Sequence, residues 1–583
     1  MRNCVPSAFF KLNGLRLGDS KDVFFEFMVY ISASTYVSGQ AKKTDTMIKK
    51  WLQDIFDKKE PIEVKEWRTD KSILKFLSSN LDDNGNLAET VNDLPDEIKN
   101  DDKIRFAPGL MDAMFGADDS DDSKKRTGEL TKHLKRIALK GDKTSEQKFF
   151  QLITENEGVI GIIDDFLQSV VNDALPIQPY LFNYAKDLGT KTDKKNAVKF
   201  GIAILGVCQN KSIINEIKIL GLHDEFTVYS SIAIANLSDN VENDLWELAQ
   251  KVDGWGKIQL VDRLARPELS EPIKDWLIFE GYKNSIMYEY LAYTCAINGE
   301  LHNKLESEKI DNKLFKSASD IIEALIAIGG PAEDITTYPF ASQVIQDFIR
   351  HAKKHTTDIS DFNALHKIND YLTELQNDIG EQKENGWNQD IISNCIIGIV
   401  EILNSRDWNV VAYEGLKSND NVIYWNAKLA GEKLGIDLWE TVWGKLEEKP
   451  IDSSTWYDVT HYSKPEHSHK IIEFALEHLP FEELGTGAKD SNGFGDNYSK
   501  HASLEYATTF LENYPKMGEK IILTALKSPV TRNRNMAIRV LDKWKQENWS
   551  SEIEKEIKHL NQIEPNTDTK ENIQRLLNGK ELK

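Results

Sequence analysis

Cys208 closes the apolar run FGIAILGVC, and a cysteine thiolate is one of the side chains able to ligate haem iron. Such a ligand needs a glycine-rich loop whose amides reach the sulfur. Here the usual basic residue before it is missing and no glycine follows, so the run predicts a buried structural thiol. GTGAKD at Gly485 comes nearest to a dinucleotide-binding turn, but it lacks the third glycine and follows FEEL rather than an apolar strand. A flexible polar connection is expected there. Neither a Walker-type phosphate loop nor a GxSxG nucleophile elbow occurs in the sequence. His351 and His355 share the i,i+4 spacing that suits a metal, yet RHAKKHTTD offers no adjacent Glu base and reads as a last helical turn. His461, His467 and His469 in THYSKPEHSHK include an HxH pair whose members point to different sides of a helix. Solvated helix-end histidines are expected in both groups, and no metal is assigned. In LDDNGN, Asp82, Asn84 and Asn86 alternate as calcium ligands do, but Leu87 stands where the loop requires glycine. DDSDDS at Asp118 reads as a solvated acidic run.

The densest mixture of aromatic and charged residues lies between Gly254 and Tyr290: Trp255, Lys257, Asp262, Arg263, Lys283, Asn284, Glu289 and Tyr290. If Lys257, Arg263 and Lys283 occupy matched faces of neighbouring helices, they offer cationic donors, with Trp255 and Tyr290 supplying flat apolar area. The expected ligand is then acidic or aromatic. Ordinary helix-end pairing and packing remains the alternative.

The elements that must position these residues are helices. Ile202, Ile232, Val261 and Leu291 recur at spacings of 30, 29 and 30, and Ile217, Leu245, Ile273 and Leu301 recur every 28 residues. Two interleaved apolar series of this kind predict tandem helix pairs of about thirty residues, because one pair cannot bury its own stripe. Near the C-terminus LKSNDNVIYWNAKLAGEKL, from Leu416, aligns without gaps on LKSPVTRNRNMAIRVLDKW, from Leu526, and places Ala427 on Ala537. Both stretches set a polar turn before an amphipathic helix, and in this they resemble HEAT-like helical repeats. FGIAILG, DEFTVYSSIAIAN, GWGKIQLVDRLA, GYKNSIMYEYLAYTCA and SPVTRNRNMAIRVLDKW together look like a family of large bacterial helical proteins, some members of which carry the label limonene hydroxylase. That resemblance implies a helical fold, and under its label an oxidoreductase acting on limonene or a related monoterpene alcohol. Such chemistry would need a nicotinamide or other redox cofactor, for which the sequence shows no motif.

The expected fold is predominantly all-α, an α-solenoid of HEAT-like pairs, with a mixed α/β segment over 1–80. An acidic linker or long loop follows over 81–126, then helical-repeat regions over 127–410 and 411–583. Of the 583 residues, 40% are hydrophobic and 28% charged, which is ordinary globular usage. Apolar stretches such as Ile391 to Leu403 fall short of the roughly 20 residues that span a bilayer, so no membrane insertion is expected. MRNCVPSAFFKLNGL lacks the pattern of a secretory signal, and Cys4, Cys208, Cys295 and Cys395 are far apart in sequence; a cytoplasmic location is expected. The net charge of -22 argues against nucleic acid, whose binding rests on Lys and Arg neutralising phosphates. The basic stretch from Lys124 to Lys143 contains no aromatic residue for base stacking and balances the acidic run before it. The function expected is a helical-repeat scaffold that binds a protein or small-molecule ligand along a concave face.

Overall fold

The computed structural model describes residues 66–88, 91, 93–97, 107–110, 112, 120–155, 159–266, 268–330, 332–493 and 498–582. The expected strand pair around VFFEFMVYIS, the helix over TMIKKWLQDIF, Cys4 and the first two residues of DDSDDS lie outside the described residues. Among the described residues the chain is predominantly helical, and extended pairing is confined to the isolated bridges Leu81–Leu87 and Ser491–Val530. No helix among them is long and apolar enough to cross a membrane. The described residues form two compact units, one from 66–97, 107–355 and 367–399, the other from 356–366 and 400–582.

The first unit starts with α1 (Ile73–Ser78) and α2 (Asp121–Lys140), then α3 (Lys143–Thr154), α4 (Ile160–Asn172) and α5 (Phe182–Thr190). α2 begins five residues before the expected end of the acidic segment, because the Ser120 side chain accepts the Ser123 amide and caps it. It ends at Gly141, whose φ of 62° closes the last turn. The LDDNGN loop is held by its own side chain: Asp82 Oδ1 accepts the amides of Asn84 and Asn86, each at 2.8 Å.

The first unit continues with α6 (Lys195–Val207), α7 (Ile214–Leu220), α8 (Asp224–Leu237), α9 (Val241–Ala249), α10 (Gly254–Leu264) and α11 (Glu271–Trp276). It runs on through α12 (Ala292–Asn298), α13 (Leu301–Glu306), α14 (Asn312–Leu325) and α15 (Ala341–His355). Ile202, Ile232 and Val261 fall on α6, α8 and α10, and Leu291 immediately precedes α12; Ile217, Leu245, Ile273 and Leu301 fall on α7, α9, α11 and α13. All but the half-buried Ile232 are buried. Helices of the first series pack on one another, α6 on α8, α8 on α10, α10 on α12 and α12 on α14, while α7 packs on α8 and α9 on α10. Each fully buried Leu or Ile in such a seam contributes about 1.5–3 kcal/mol. α5 and α6 approach closely at Gly201, where an added Cβ would stand 2.5 Å from the backbone nitrogen of Gly189.

α16 (Ile359–Asn377) and α17 (Gln389–Leu403) carry residues of both units. The second unit continues through α18 (Trp408–Leu416), α19 (Asn421–Leu434), α20 (Trp439–Glu448), α21 (Ser453–Tyr462), α22 (Ser468–His478) and α23 (Phe481–Leu484). It ends with α24 (Ser499–Phe510), α25 (Glu519–Leu526), α26 (Thr531–Trp544), α27 (Ser551–Ile563) and α28 (Thr567–Leu577). α21, α24, α26 and α28 pack in succession, and α25 packs on α27. Ala427 on α19 and Ala537 on α26, the residues matched by the internal echo, are both fully buried. Polar ties cross this seam about thirty residues apart: Lys428 Nζ to Asp458 Oδ1 at 2.5 Å, and Arg534 to both carboxylate oxygens of Glu564 at 2.6 and 2.7 Å. The Arg534–Glu564 pair is completely buried, and Arg534 also donates to the carbonyls of Ser528 and Pro529.

Two glycines with opposite surroundings give a check on this packing. Gly201→Ala should destabilise the first unit by about 1–3 kcal/mol through overpacking against backbone. Gly444→Ala, in α20 with nothing within 4 Å of the new methyl, should stabilise the second by about 0.5–1 kcal/mol. Urea unfolding followed by circular dichroism would reveal both, and an unshifted transition for Gly201→Ala would contradict the close crossing.

Candidate ligand-binding site

α10 starts with GWG because a carboxylate from the preceding helix pair occupies its first turn. Asp224, the first residue of α8, accepts the backbone N–H groups of Gly256 and Trp255, which have no partner within their own helix. A Cβ on Gly254 would stand 2.4 Å from Asp224 Oδ2, and one on Gly256 would stand 2.6 Å from Oδ1. The following pair repeats the tie: the Ser285 amide donates to Asp253 Oδ1 at 3.1 Å, and Asn284 Nδ2 donates to the Gly254 carbonyl at 2.8 Å.

These ties decide where the residues selected from sequence end up. Trp255 and Tyr290 come together edge to face, half-buried, with ring centroids 5.1 Å apart. Lys257 donates to the Glu280 carbonyl at 2.9 Å and lies 5.7 Å from the Trp276 ring centroid; burial pulls its ammonium below the usual lysine value. Lys283 pairs with the Glu280 carboxylate at 3.0 Å. The two lysines therefore converge on Glu280. Asn284 is buried and committed to the backbone tie, with its Oδ1 accepting the Ile286 amide. At the far end of α10, Arg263 folds back onto the Gln259 carbonyl and side chain at 3.1 Å each, and the exposed Asp262 accepts the Thr294 hydroxyl at 3.3 Å. Glu289 is half-buried.

Behind Trp255 lies a group of charges that the sequence reading did not single out. A small cleft is lined by Gly109, Asp112, Asp224, Val228, Trp255, Gly256 and Gln259. Lys199 Nζ, buried in the wall of α6, donates to Asp112 Oδ2 at 2.6 Å and to Glu225 Oε2 at 3.1 Å. Lys195 Nζ donates to Glu225 Oε1 at 2.9 Å and Glu97 Oε1 at 3.1 Å, and the Gly109 amide reaches Glu225 Oε2 at 3.2 Å. Burial pushes the Glu225 carboxyl up, but Lys199 and Lys195 more than reverse this and hold it at about 2. Burial likewise pulls the Lys199 ammonium down, and Asp112 and Glu225 raise it above the ordinary value. One signal was available: in KNAVKFGIAILGV apolar residues occupy every side of the helix, so its lysine must meet carboxylates inside the protein.

Asp224 differs from its neighbour. Burial, aided by repulsion from Asp253, lifts its carboxyl to about 7 against the pull of the two amides. The cleft thus offers an indole face beside a carboxyl that exchanges its proton near neutrality, a combination suited to gripping a hydrogen-bond donor.

The other groups weighed from sequence settle elsewhere. Cys208 follows the last residue of α6 as a buried thiol that burial pushes up to about 12. His351 is buried against the Leu305 carbonyl at 2.9 Å, not solvated as expected, because α15 turns that side toward α13. His355 stacks on Phe315, and His467 stacks on Trp439 with centroids 3.6 Å apart. Among the described residues no three His, Cys, Asp or Glu side chains converge as metal ligands would. GTGAKD follows α23 as a loop, with the Gly487 amide donating to the Lys527 carbonyl.

Two outcomes test this site. An unfolded Asp releases its proton near 3.8, whereas folded Asp224 keeps it to about 7. The folded state therefore binds the extra proton between these values, and the contribution of Asp224 to stability is full below pH 4 and lost as pH rises to 7. Asp224→Asn should flatten that part of the stability profile while still accepting the amides; an unchanged slope in urea titrations across this window would refute the assignment. Lys199→Met should cost about 3–5 kcal/mol because it strands Asp112 in the interior, whereas Lys283→Ala should stay within about 0.5 kcal/mol.

Compared with known protein families, with curated proteins and with solved structures, the chain finds no match.

Proposed function

We propose that this chain is a binding scaffold, an α-solenoid of HEAT-like helix pairs that holds a partner protein or other ligand along one face of its stacked helices. The observation that carries the reading is a set of aromatic side chains that packing leaves in solvent on tied helices of the second unit. Trp425 on α19 is 53% exposed and Tyr457 on α21 is 44% exposed, and Tyr457 meets the half-buried Tyr506 of α24 with centroids 5.6 Å apart. Aromatic side chains dominate the energetics of protein interfaces, since they supply large contact area with few rotatable bonds. A row of them left uncovered across neighbouring helices points to recognition. The Trp255–Tyr290 pair, beside the cleft of the first unit, is a second place where the same chemistry is available.

The scaffold reading also fits the recurrence of cross-helix ties: Lys195–Glu225, Asn284–Gly254, Lys428–Asp458 and Arg534–Glu564 are each separated by thirty residues. Ties at a constant interval fix helix pairs in register, and a surface in fixed register can present side chains to a ligand without ordering cost at binding.

Affinity capture from the source cell with the intact chain, alongside a Trp425→Ala/Tyr457→Ala variant, tests the proposal. A protein retained by the intact chain and lost from the variant is expected, with melting temperatures matched because both substitutions are at exposed positions. If nothing retained by the chain depends on these residues or on Trp255 and Tyr290, the scaffold reading fails.

A further inference from the structure

Resting on that scaffold reading, we infer that the exposed face of α19, α21, α24 and α26 takes an acidic peptide segment of a partner protein, with an apolar or aromatic side chain at one end and carboxylates at the other.

Contacts join the four helices into one face. Lys428 Nζ lies 4.9 Å from the Trp425 ring centroid and pairs with Asp458, the neighbour of Tyr457. Tyr457 stacks on His461 and meets Tyr506 edge to face. Beside Tyr506, Glu505 pairs with Arg532 of α26. One and two turns further along α26, Met536 and Arg539 touch through Sδ and Nη1.

Charge decides the partner. The carboxylates at or beneath this face are already engaged: Asp458 is buried in its pair with Lys428, Glu505 pairs with Arg532, and Glu432 accepts the Tyr462 hydroxyl. Arg532 and Lys428 are spent in the same pairs. Arg539 and Lys543, both exposed and about one turn apart on α26, have no carboxylate partner among the described residues, since Asp542 between them in sequence pairs with Lys545. In a protein of net charge -22, two neighbouring cations left unpaired beside exposed aromatic rings are complementary to carboxylates brought from outside. Nucleic acid fits less well, since Glu432 and Glu505 share the face with these two cations and would repel a phosphate backbone.

Geometry sets the length. Four helices packed at about 8–10 Å intervals span roughly 24–30 Å from Trp425 to Arg539. An extended chain covers that distance with roughly seven to nine residues at about 3.3 Å each. The aromatic end of the segment would lie on Trp425 and Tyr457, and its Asp or Glu residues beside Arg539 and Lys543.

The test uses the full chain and three arrays of synthetic peptides long enough to span the face. In the first, a Trp or Leu is followed by Asp and Glu; in the second the acids become Asn and Gln; in the third they become Lys. Binding of the first array above the others is expected. Arg539→Glu/Lys543→Glu should weaken the acidic peptides by roughly tenfold and shift preference to the Lys array, and Trp425→Ala should weaken the first two arrays alike. Equal binding of acidic and amide peptides would overturn the inference. Peptides that bind the chain but ignore all three substitutions would overturn it for this face and leave the scaffold reading standing. Binding confined to single-stranded oligonucleotides or anionic vesicles, and sensitive to the same substitutions, would replace it with a phosphate-binding surface. Thermal melts of each variant separate loss of binding from loss of fold.

Discussion

An amphipathic helix has an apolar stripe that it cannot cover by itself, and in this chain neighbouring helices cover one another's: α6 packs on α8, α8 on α10, and α7 and α9 on the helices that follow them. Ile202, Val261 and Leu291 are buried because each belongs to a first-series helix or its start, while Ile217, Leu245, Ile273 and Leu301 are buried from the helices between. Covering the stripe leaves the helix N-termini side by side at the seam, each with amides unsatisfied by its own helix. The chain meets that need across the seam: Asp224 serves the first turn of α10, and Asp253 serves the segment that follows the next pair. Glycine at 254 and 256 is the consequence, since a methyl group there would collide with the Asp224 carboxylate.

Charges buried in such a seam are weak contributors to net stability, because removing them from water costs nearly as much as their pairing returns. Their value lies in specificity. Lys199 is satisfied when Asp112 and Glu225 both reach it, and Arg534 when Glu564 and two carbonyls do. A slip of one helical position would strand a charge in an apolar wall, a far larger penalty than a slip between Leu and Ile. These groups therefore fix register, while the aliphatic residues supply the drive to pack. The cluster at Lys199 also anchors the segment around Gly109 and Asp112 on the N-termini of α6 and α8, directly beside Trp255.

Function, on this view, belongs to what packing leaves over. In the first unit the cations chosen from sequence are mostly spent internally, with Lys257 and Lys283 both drawn to Glu280, which leaves the aromatic pair Trp255–Tyr290 and the Asp224 cleft as the groups not committed to such pairs. In the second unit Trp425 and Tyr457 stay exposed, and Arg539 and Lys543 have no carboxylate partner among the described residues. Both groups sit on helices whose positions are fixed by cross-helix ties, which holds their side chains in place.

Much of the helical architecture was legible from spacing. The two apolar series fall on or beside successive alternate helices, and the echo around Ala427 and Ala537 marks two helices that bury a small residue at the same point. Hydrophobic periodicity carries this information because every turn of a helix must choose between water and the core. The polar residues were another matter. Lys257 and Arg263 look in sequence like donors on a binding face, and Lys199 looks like an accident in an apolar run, yet Lys257 reaches back to a carbonyl and Lys199 holds the charge cluster together. His351, expected in solvent at a helix end, is buried against a carbonyl 46 residues away. A single helix can reveal which side faces the core, but the partner of a charge is chosen by the element packed against it, and that element lies tens of residues distant. Sequence therefore determined the helices and the apolar positions they bury, whereas the pairing of charges, and with it which polar side chains stay exposed, was decided only when the helices came together.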